Sequence, residues 1–245
     1  CLWYGAAPMS PTRLEEALTR IGPVLGQLFG QTEAPNMIAT LAPADHFRSD
    51  GSIATERLSS AGKPTPLTTV AIMNDDGGLV ERGERGEIVV RGPLVMQGYH
   101  ENLDATVEVG AHGWHHTGDI GYLDDDGYLY VVDRAKDMII TGGFNVYSAE
   151  VEQALLSHPS VRECAVVGLP DDKWGERVTA AVLLRPGRDA SDEELITHVK
   201  ARIGSIKAPK QIQIWTDLPR SKVGKILKTE VRSTMSHSSS KGSTP

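Results

Sequence analysis

Residues 114–139 read WHHTGDIGYLDDDGYLYVVDRAKDMI, and the character of the chain changes within them. Gly121-Tyr122-Leu123 and Tyr128 to Val132 are strand-like runs on either side of Asp124-Asp125-Asp126-Gly127, turn chemistry that predicts a hairpin. The three aspartates lack the alternating ligand spacing and closing glutamate of an EF-hand calcium loop, so they read as a turn. After Asp133-Arg134 the sequence passes into a compact α+β alternation. A boundary is therefore expected at residues 134–136.

Upstream, Ser10-Pro11 starts a helix, because a hydroxyl caps free N–H groups and proline suits the first turn. Leu14, Ala17, Leu18 and Ile21 recur at helical spacing until Gly22-Pro23 stops them. Val24 to Phe29 then reads as a short buried strand. That places Gly30-Gln31-Thr32-Glu33 at a carboxyl strand end, the edge where open α/β sheets bind ligands. Val70 to Met73 and Glu87 to Arg91 read as strands joined through the turn chemistry of Asn74 to Gly78. Downstream, Ser148 is expected to cap a helix running to about Leu156, with Pro159 marking its end. Cys164 to Val167 and Val178 to Leu184 read as strands. Ser191 and Glu194 form a capping box for a helix with Leu195, Val199 and Ile203 on one face. Gln211 to Trp215 alternates as a half-buried strand does. Ser233 to Pro245, rich in serine, is expected to be a disordered tail.

The 245 residues are 40% hydrophobic and 23% charged, a globular composition that excludes disordered, collagen-like and disulfide-framework classes. No run approaches the roughly 18 consecutive apolar residues of a spanning helix. Two cysteines, one at position 1, cannot support a secreted disulfide scaffold. Cys164 reads as a buried thiol in a reducing compartment, so a cytoplasmic setting is expected. Charge is divided unevenly: residues 1–133 carry 8 basic and 19 acidic side chains, and residues 134–245 carry 17 and 13. Two units with different surfaces are expected. The one short basic run, Arg220 to Arg232, makes no case for nucleic acid in a chain of net charge −7. The opening Cys1-Leu2-Trp3-Tyr4 lacks the features of a signal peptide, and the chain is expected to start mid-domain in a longer protein.

Neither a P-loop nor a dinucleotide fingerprint is present, so the chemistry-bearing residues are weighed as a set. Thr32 and Glu33 pair a hydroxyl with a carboxylate, hard oxygen donors suited to a magnesium-bound phosphate. Taken alone, such a pair is a cap or a surface feature. His112, His115 and His116 have no second ligand group at zinc spacing, and metal binding there is not expected. Asp119 follows Gly118, where a ligand can come close and a carboxylate can accept two hydroxyl hydrogen bonds, as from ribose. Taken alone, it is a turn aspartate. Gly142-Gly143 admits close backbone approach or simply a tight turn. Lys225 follows Gly224 in a basic loop and reads singly as a surface lysine.

Order and company change these readings. Gly5-Ala6-Ala7-Pro8, Phe29-Gly30-Gln31-Thr32-Glu33, Gly86-Glu87-Ile88, Gly98-Tyr99, Trp114 to Asp119, Asp133 to Ile139, Gly142-Gly143 and Pro219-Arg220 with Gly224-Lys225 occur in that order. Together they resemble the adenylate-forming (AMP-binding) superfamily, specifically acyl-CoA synthetases of the fatty-acid–CoA ligase type, from Gly5 to about Arg232. The fold this implies is α/β plus α+β. Residues 1–133 would be the C-terminal part of a large AMP-binding domain with a strand–helix part and a β-rich part. Residues 134–136 would be a hinge, and 137–232 a small mobile C-terminal domain ahead of the tail at 233–245.

The resemblance implies a two-step ligase using ATP, Mg2+ and coenzyme A on a small-molecule carboxylic acid. Gly5, Ala6, Ala7 and Pro8 would lie along the adenine, with Gly30 and Gln31 also in the nucleotide site. Thr32 would contact phosphate and Glu33 would hold the metal. Asp119 and Arg134 would take the ribose hydroxyls, and Lys136 would be the hinge residue. Lys225 would bridge the substrate carboxylate and phosphate, while Gly142, Gly143 and Phe144 would line the thiol tunnel. Phe29 replaces the tyrosine usual in the family's motif. The family's upstream phosphate loop and most of its acyl pocket are absent from these residues, so the isolated chain is expected to adenylate poorly and its longer parent to be active. Fatty acids are the expected substrates, with aromatic and sterol-derived acids open. The alternatives are an adenylation domain serving a carrier protein and a non-catalytic nucleotide-binding module. The sequence does not indicate an oligomeric state.

Overall fold

Strand β1 (Leu2–Gly5) runs parallel to β2 (Leu25–Gln31), and helix α1 (Pro11–Ile21) makes the crossover between them. Ser10 accepts the Arg13 N–H as the N-cap and Pro11 opens the first turn; Gly22, at φ +75°, ends the helix with its N–H on the Leu18 carbonyl. Leu14 and Leu18, one turn apart, are buried against Leu25 and Leu58. The sheet continues antiparallel through β3 (Ala34–Leu41) and β4 (Lys63–Pro64). The computed structural model describes residues 1–5, 9–222 and 224–240. The chain falls into two units, Cys1–Ala135 and Lys136–Pro245.

The first unit holds a second, wholly antiparallel sheet of β5 (Thr69–Met73), β6 (Gly86–Arg91), β7 (His115–Leu123) and β8 (Leu129–Arg134), in that order. Helix α2 (Leu103–Val109) lies between β6 and β7 in sequence, capped by the Asn102 side chain. The two sheets meet where Ala61 N–H bonds the Leu129 carbonyl and Leu129 N–H the Gly62 carbonyl, at 2.7 and 2.8 Å. Gly62 sits at φ +85°, and a Cβ there would collide with the Thr40 carbonyl. Ile38, Ala39, Ile72, Ile88, Val90 and Leu129 close the core between the sheets.

The second unit is built on one mixed sheet. Strands β9 (Ile139–Thr141), β10 (Phe144–Val146), β11 (Val161–Asp171), β12 (Gly175–Leu184) and β13 (Gln211–Ile214) are arranged β10-β9-β12-β11, with β13 parallel to β12. Both faces of the central strands are covered, which is why Val178 to Leu184 is an almost unbroken apolar run. Val166, Val178 and Val182 pack with Val151 and Leu155 of α3 (Ser148–Leu156) and Leu195 and Val199 of α4 (Asp192–Lys207). The alternate residues Ala165, Val167, Ala181 and Leu183 pack with Val231 and Met235 of α5 (Lys228–Ser240). Ser191 caps α4 by accepting the Glu194 N–H at 3.1 Å. No helix among the described residues is long and apolar enough to cross a membrane.

Two expectations are corrected. Ser148 does not cap α3: Tyr147 is the N-cap, and the Ser148 hydroxyl, fully buried, accepts a hydrogen bond from Lys228 at 2.6 Å. Of the disordered tail expected over 233–245, residues 233–240 instead continue α5, and 241–245 lie outside the described residues. Val231 and Met235, one turn apart and both fully buried, anchor the helix on the sheet despite its serine-rich composition. Met235→Ala is therefore expected to lower the stability of the second unit by about 2–5 kcal/mol, read as a fall in its urea midpoint. An unchanged midpoint would return these residues to a tail.

Candidate active site

The described site residues of the first unit gather around two interruptions in its strands. The first is the turn from β2 to β3. Gly30 and Gln31 lie within β2 itself, and Thr32 and Glu33 form the turn. Thr32 is exposed and Glu33 half-buried. The Glu33 carboxylate accepts the Tyr99 hydroxyl at 3.0 Å, and its carbonyl accepts the Met96 N–H at 2.8 Å, so the loop of Gly98 and Tyr99 is tied to this turn. Gln31 reaches β7, its amide nitrogen 2.6 Å from His115 Nε2. An amide N–H donates, so this bond has the imidazole nitrogen accepting, as only the neutral ring can. Burial pushes His115 below its usual value, with His116 adding to that and the carboxylates of Glu33 and Glu87 opposing it.

The second interruption is in β7. Between Glu87 and Val89 the register with β6 shifts, so that Thr117, Gly118 and Asp119 face Ile88 alone. Gly118 takes φ +70° with nothing within 4 Å of where a Cβ would stand, the conformation for which a strand uses glycine at a bulge. The backbone groups removed from the ladder are satisfied by side chains. Thr117 Oγ1 donates to the Ile88 carbonyl at 2.7 Å and accepts the Asp119 N–H at 3.1 Å. Glu87 accepts the Gly118 N–H at 2.9 Å and pairs with His116 Nδ1 at 2.7 Å. On the other side the ladder to β8 pairs Asp119 with Arg134. The guanidinium Nε is 2.7 Å from Asp119 Oδ1, with the carboxylate buried and the arginine half-exposed.

Gly5 ends β1 opposite Leu28; Ala6, Ala7 and Pro8 lie outside the described residues. Lys136 is exposed in a single helical turn, Ala135–Asp137. In the second unit Gly142 and Gly143, at φ +57° and +81°, turn β9 into β10 and leave Phe144 exposed. A Cβ on Gly142 would meet the Trp174 ring at 2.8 Å. Lys225 is exposed on a tight turn in which its N–H bonds Ser221 Oγ at 3.2 Å and its carbonyl accepts the Ser221 N–H at 2.8 Å. Sequence reading assigns no role to Tyr99, Glu87, Thr117 or His115. The motifs Gly98-Tyr99 and Gly86-Glu87-Ile88 mark the places, but the pairings are tertiary.

Residues 1–100 match the family model described as AMP-binding enzyme, and residues 150–225 that of the AMP-binding enzyme C-terminal domain. A medium/long-chain-fatty-acid–CoA ligase of Mycobacterium tuberculosis is 45% identical over 238 residues, covering 94% of this chain and 40% of that protein. An amide bond synthetase of Marinactinospora thermotolerans superimposes with TM-score 0.86 at 41% identity, covering 95% of this chain and 46% of that one. The o-succinylbenzoate–CoA synthetase of Bacillus subtilis, in complex with its acyl-adenylate intermediate, does so with TM-score 0.85 at 39% identity and the same coverage. The chain thus spans less than half the length of these proteins.

The buried neutral His115 sets a pH dependence. Below the usual histidine value of 6.5 the unfolded chain takes up a proton that the folded site resists, so stability falls as pH drops from about 6.5 toward the folded value. His115→Gln is expected to flatten the stability–pH profile of the first unit across that window. His46, also lowered by burial, keeps a residual slope. An unchanged slope in denaturant titrations at pH 7.5 and 5.5 would show that His115 is protonated in the fold.

Proposed function

This chain belongs to the AMP-binding, adenylate-forming enzyme family and corresponds to its C-terminal half, and from that premise we propose that its parent is an ATP-dependent acid–thiol ligase. A carboxylic acid attacks the α-phosphorus of ATP, giving acyl-adenylate and pyrophosphate. The coenzyme A thiol then attacks the acyl carbon, giving a thioester and AMP. A medium- or long-chain fatty acid is the substrate class favoured by the ligase matched at 45% identity. The free, buried thiol of Cys164 suits a reducing, cytoplasmic setting.

The observation that carries this reading is the bulge at Gly118, which sets Asp119 and Arg134 side by side at 2.7 Å on the strand that His115 staples to Gln31. A carboxylate beside a guanidinium meets the vicinal hydroxyls of ribose as acceptor and donor. Gly5 ends β1, where the adenine would lie; Ala6, Ala7 and Pro8, which share that expected role, lie outside the described residues. Gly30 and Gln31 support the turn on which Thr32 offers its hydroxyl to phosphate.

The donor set at that turn fits Mg2+. Glu33 and Thr32 offer only hard oxygens, and no group of three or more His, Cys, Asp or Glu side chains forms a metal cage among the described residues. A magnesium ion carried by a triphosphate needs one or two carboxylates rather than a cage. Glu33 would hold it, and the ion would screen phosphate charge during the displacement. Lys225, exposed on its turn, brings an ammonium to the substrate carboxylate and α-phosphate, two anions that otherwise repel. Lys136 serves as the hinge, and Gly142, Gly143 and Phe144 line the path of the thiol when the small domain presents its other face. The amide bond synthetase among the matched structures favours a second reading of the acceptor alone, an amine in place of the thiol.

In the full-length parent, Lys225→Ala is expected to lower acyl-adenylate formation by roughly a hundred- to a thousandfold. Thioester formation from supplied acyl-adenylate should persist. Pyrophosphate release measures the first step and thioester formation the second. Equal losses in both would remove the assigned role, and an amide product formed in preference to a thioester would change the acceptor.

A further inference from the structure

The turn that carries Lys225 stands on charged anchors that the reading above leaves without a role. Its base is closed by the Leu227 N–H on the Pro219 carbonyl at 2.9 Å and by an antiparallel bridge between Arg220 and Ile226. Its tip is closed by the Gly224 N–H on the Ser221 carbonyl at 2.9 Å and by the Ser221 bonds to Lys225. Those backbone bonds fix the shape of the turn. They do not fix its direction relative to the sheet below.

Direction comes from two side chains at the base. Arg220 pairs with Glu163 of β11, with both side chains about a third exposed, where solvent screens the attraction. Lys228, the first residue of α5, makes the drier connection. Its Nζ is 2.9 Å from Glu152 Oε1 and donates to Ser148 Oγ at 2.6 Å. Glu152 Oε1 also accepts the Val166 N–H of β11 at 2.8 Å. The Lys228 and Glu152 side chains are only 20% and 19% exposed. A charge pair held at two further hydrogen-bonded points has little angular freedom, and it lies three residues from Lys225. Ser148 begins α3 just past β10, so the same ammonium ties the lysine turn to the segment that follows Gly142, Gly143 and Phe144.

We propose that Lys228 is a positioning residue: clamped by Glu152 and Ser148, it aims the Ser221–Lys225 turn and so sets where the Lys225 amine is presented, without touching substrate. The proposal rests on the role assigned to Lys225 above. Misplacing a reacting group by about an ångström costs up to roughly a hundredfold in rate, so the clamp has kinetic consequences even though it lies outside the chemistry.

Hydrogen exchange on the 245-residue chain tests the clamp without any substrate. Lys228→Met keeps the apolar stem and removes the ammonium. It is expected to speed exchange of the Ser221, Gly224 and Leu227 amides by about tenfold or more, while the β12 and β13 amides keep their protection. Lys228→Arg, which retains a donor cation, should restore much of the protection. Uniform acceleration across the sheet would make Lys228 a general stabilising residue, and no acceleration would remove the clamp; either overturns the proposal.

The full-length parent supplies the kinetic half, by ATP–pyrophosphate exchange with dodecanoate and with 2-succinylbenzoate. Lys228→Met should lower adenylation by roughly ten- to a hundredfold, mainly in kcat, and spare thioester formation from supplied acyl-adenylate. In a Lys225→Ala background it should have almost no further effect on adenylation, because the group it aims is gone. Multiplying losses in the double variant would overturn the proposal. If Lys225→Ala leaves adenylation intact, or neither acid supports exchange, the functional reading of Lys225 or of the substrate fails instead, and the exchange of the Ser221 and Leu227 amides decides the clamp on its own.

Discussion

Presentation of Asp119 depends on the break that Gly118 puts into β7. A strand that kept its ladder with β6 through residues 117–119 would spend their N–H and carbonyl groups on pairing. The positive φ of Gly118 opens the ladder instead, and an L side chain would be strained there. Opening a buried ladder leaves polar groups that cost about 1–3 kcal/mol each if unpaired. Thr117 and Glu87 meet that cost by bonding the Ile88 carbonyl and the Asp119 and Gly118 N–H groups. The Trp114 to Asp119 motif is thus a structural solution as well as the proposed ribose site. Its hydroxyl and glycine make the bulge tolerable, and its carboxylate uses the result.

The second unit solves a related problem with a different device. Its two longest strands are apolar on both faces, with α3 and α4 on one and α5 on the other. An apolar sandwich orders helices well but orients a polar surface turn poorly, since apolar contact is non-directional. Direction has to come from polar groups carried down into drier surroundings. Glu152 is such a group: it sits beside Cys164, whose thiol burial pushes far above its usual range, and it receives both a backbone N–H and the Lys228 ammonium.

Local rules make most of this fold legible. Ser10-Pro11 and Gly22 bound α1 because caps act over one turn, and the Asp124 to Gly127 turn is written in its own four residues. Val178 to Leu184 is readable as a strand covered on both sides because nothing polar but Thr179 interrupts it, and that hydroxyl is spent on the Val167 carbonyl. Past Ser233 the rules fail, since Met235 is a single apolar side chain in a serine-rich stretch and its burial depends on a sheet some fifty residues upstream. Ser148 fails likewise, because its hydroxyl accepts a hydrogen bond from the Lys228 ammonium, 80 residues away. At the candidate site the ordered motifs give the residues but not their partners. Glu87 with Gly118, Glu33 with Tyr99 and Gln31 with His115 join positions 31, 66 and 84 residues apart, and no local pattern encodes such pairs.

Charge gives one more constraint on how the two units divide the labour proposed for them. Residues 1–133 carry 19 acidic and 8 basic side chains, a segment that repels a triphosphate at long range. Just past that segment but within the first unit, Arg134 is the one permanent cation among that unit's described site residues, and its Nε already faces Asp119. A polyanion therefore enters such a site only with positive charge brought from outside it. In the reading proposed above, a divalent metal on Glu33 would supply part of that charge. In the same reading the Lys225 ammonium, on a separately folded unit, would supply the rest and could be withdrawn once pyrophosphate has left. A lysine built into the acidic unit would stabilise the proposed displacement equally well but would stay in place through the proposed thiol step.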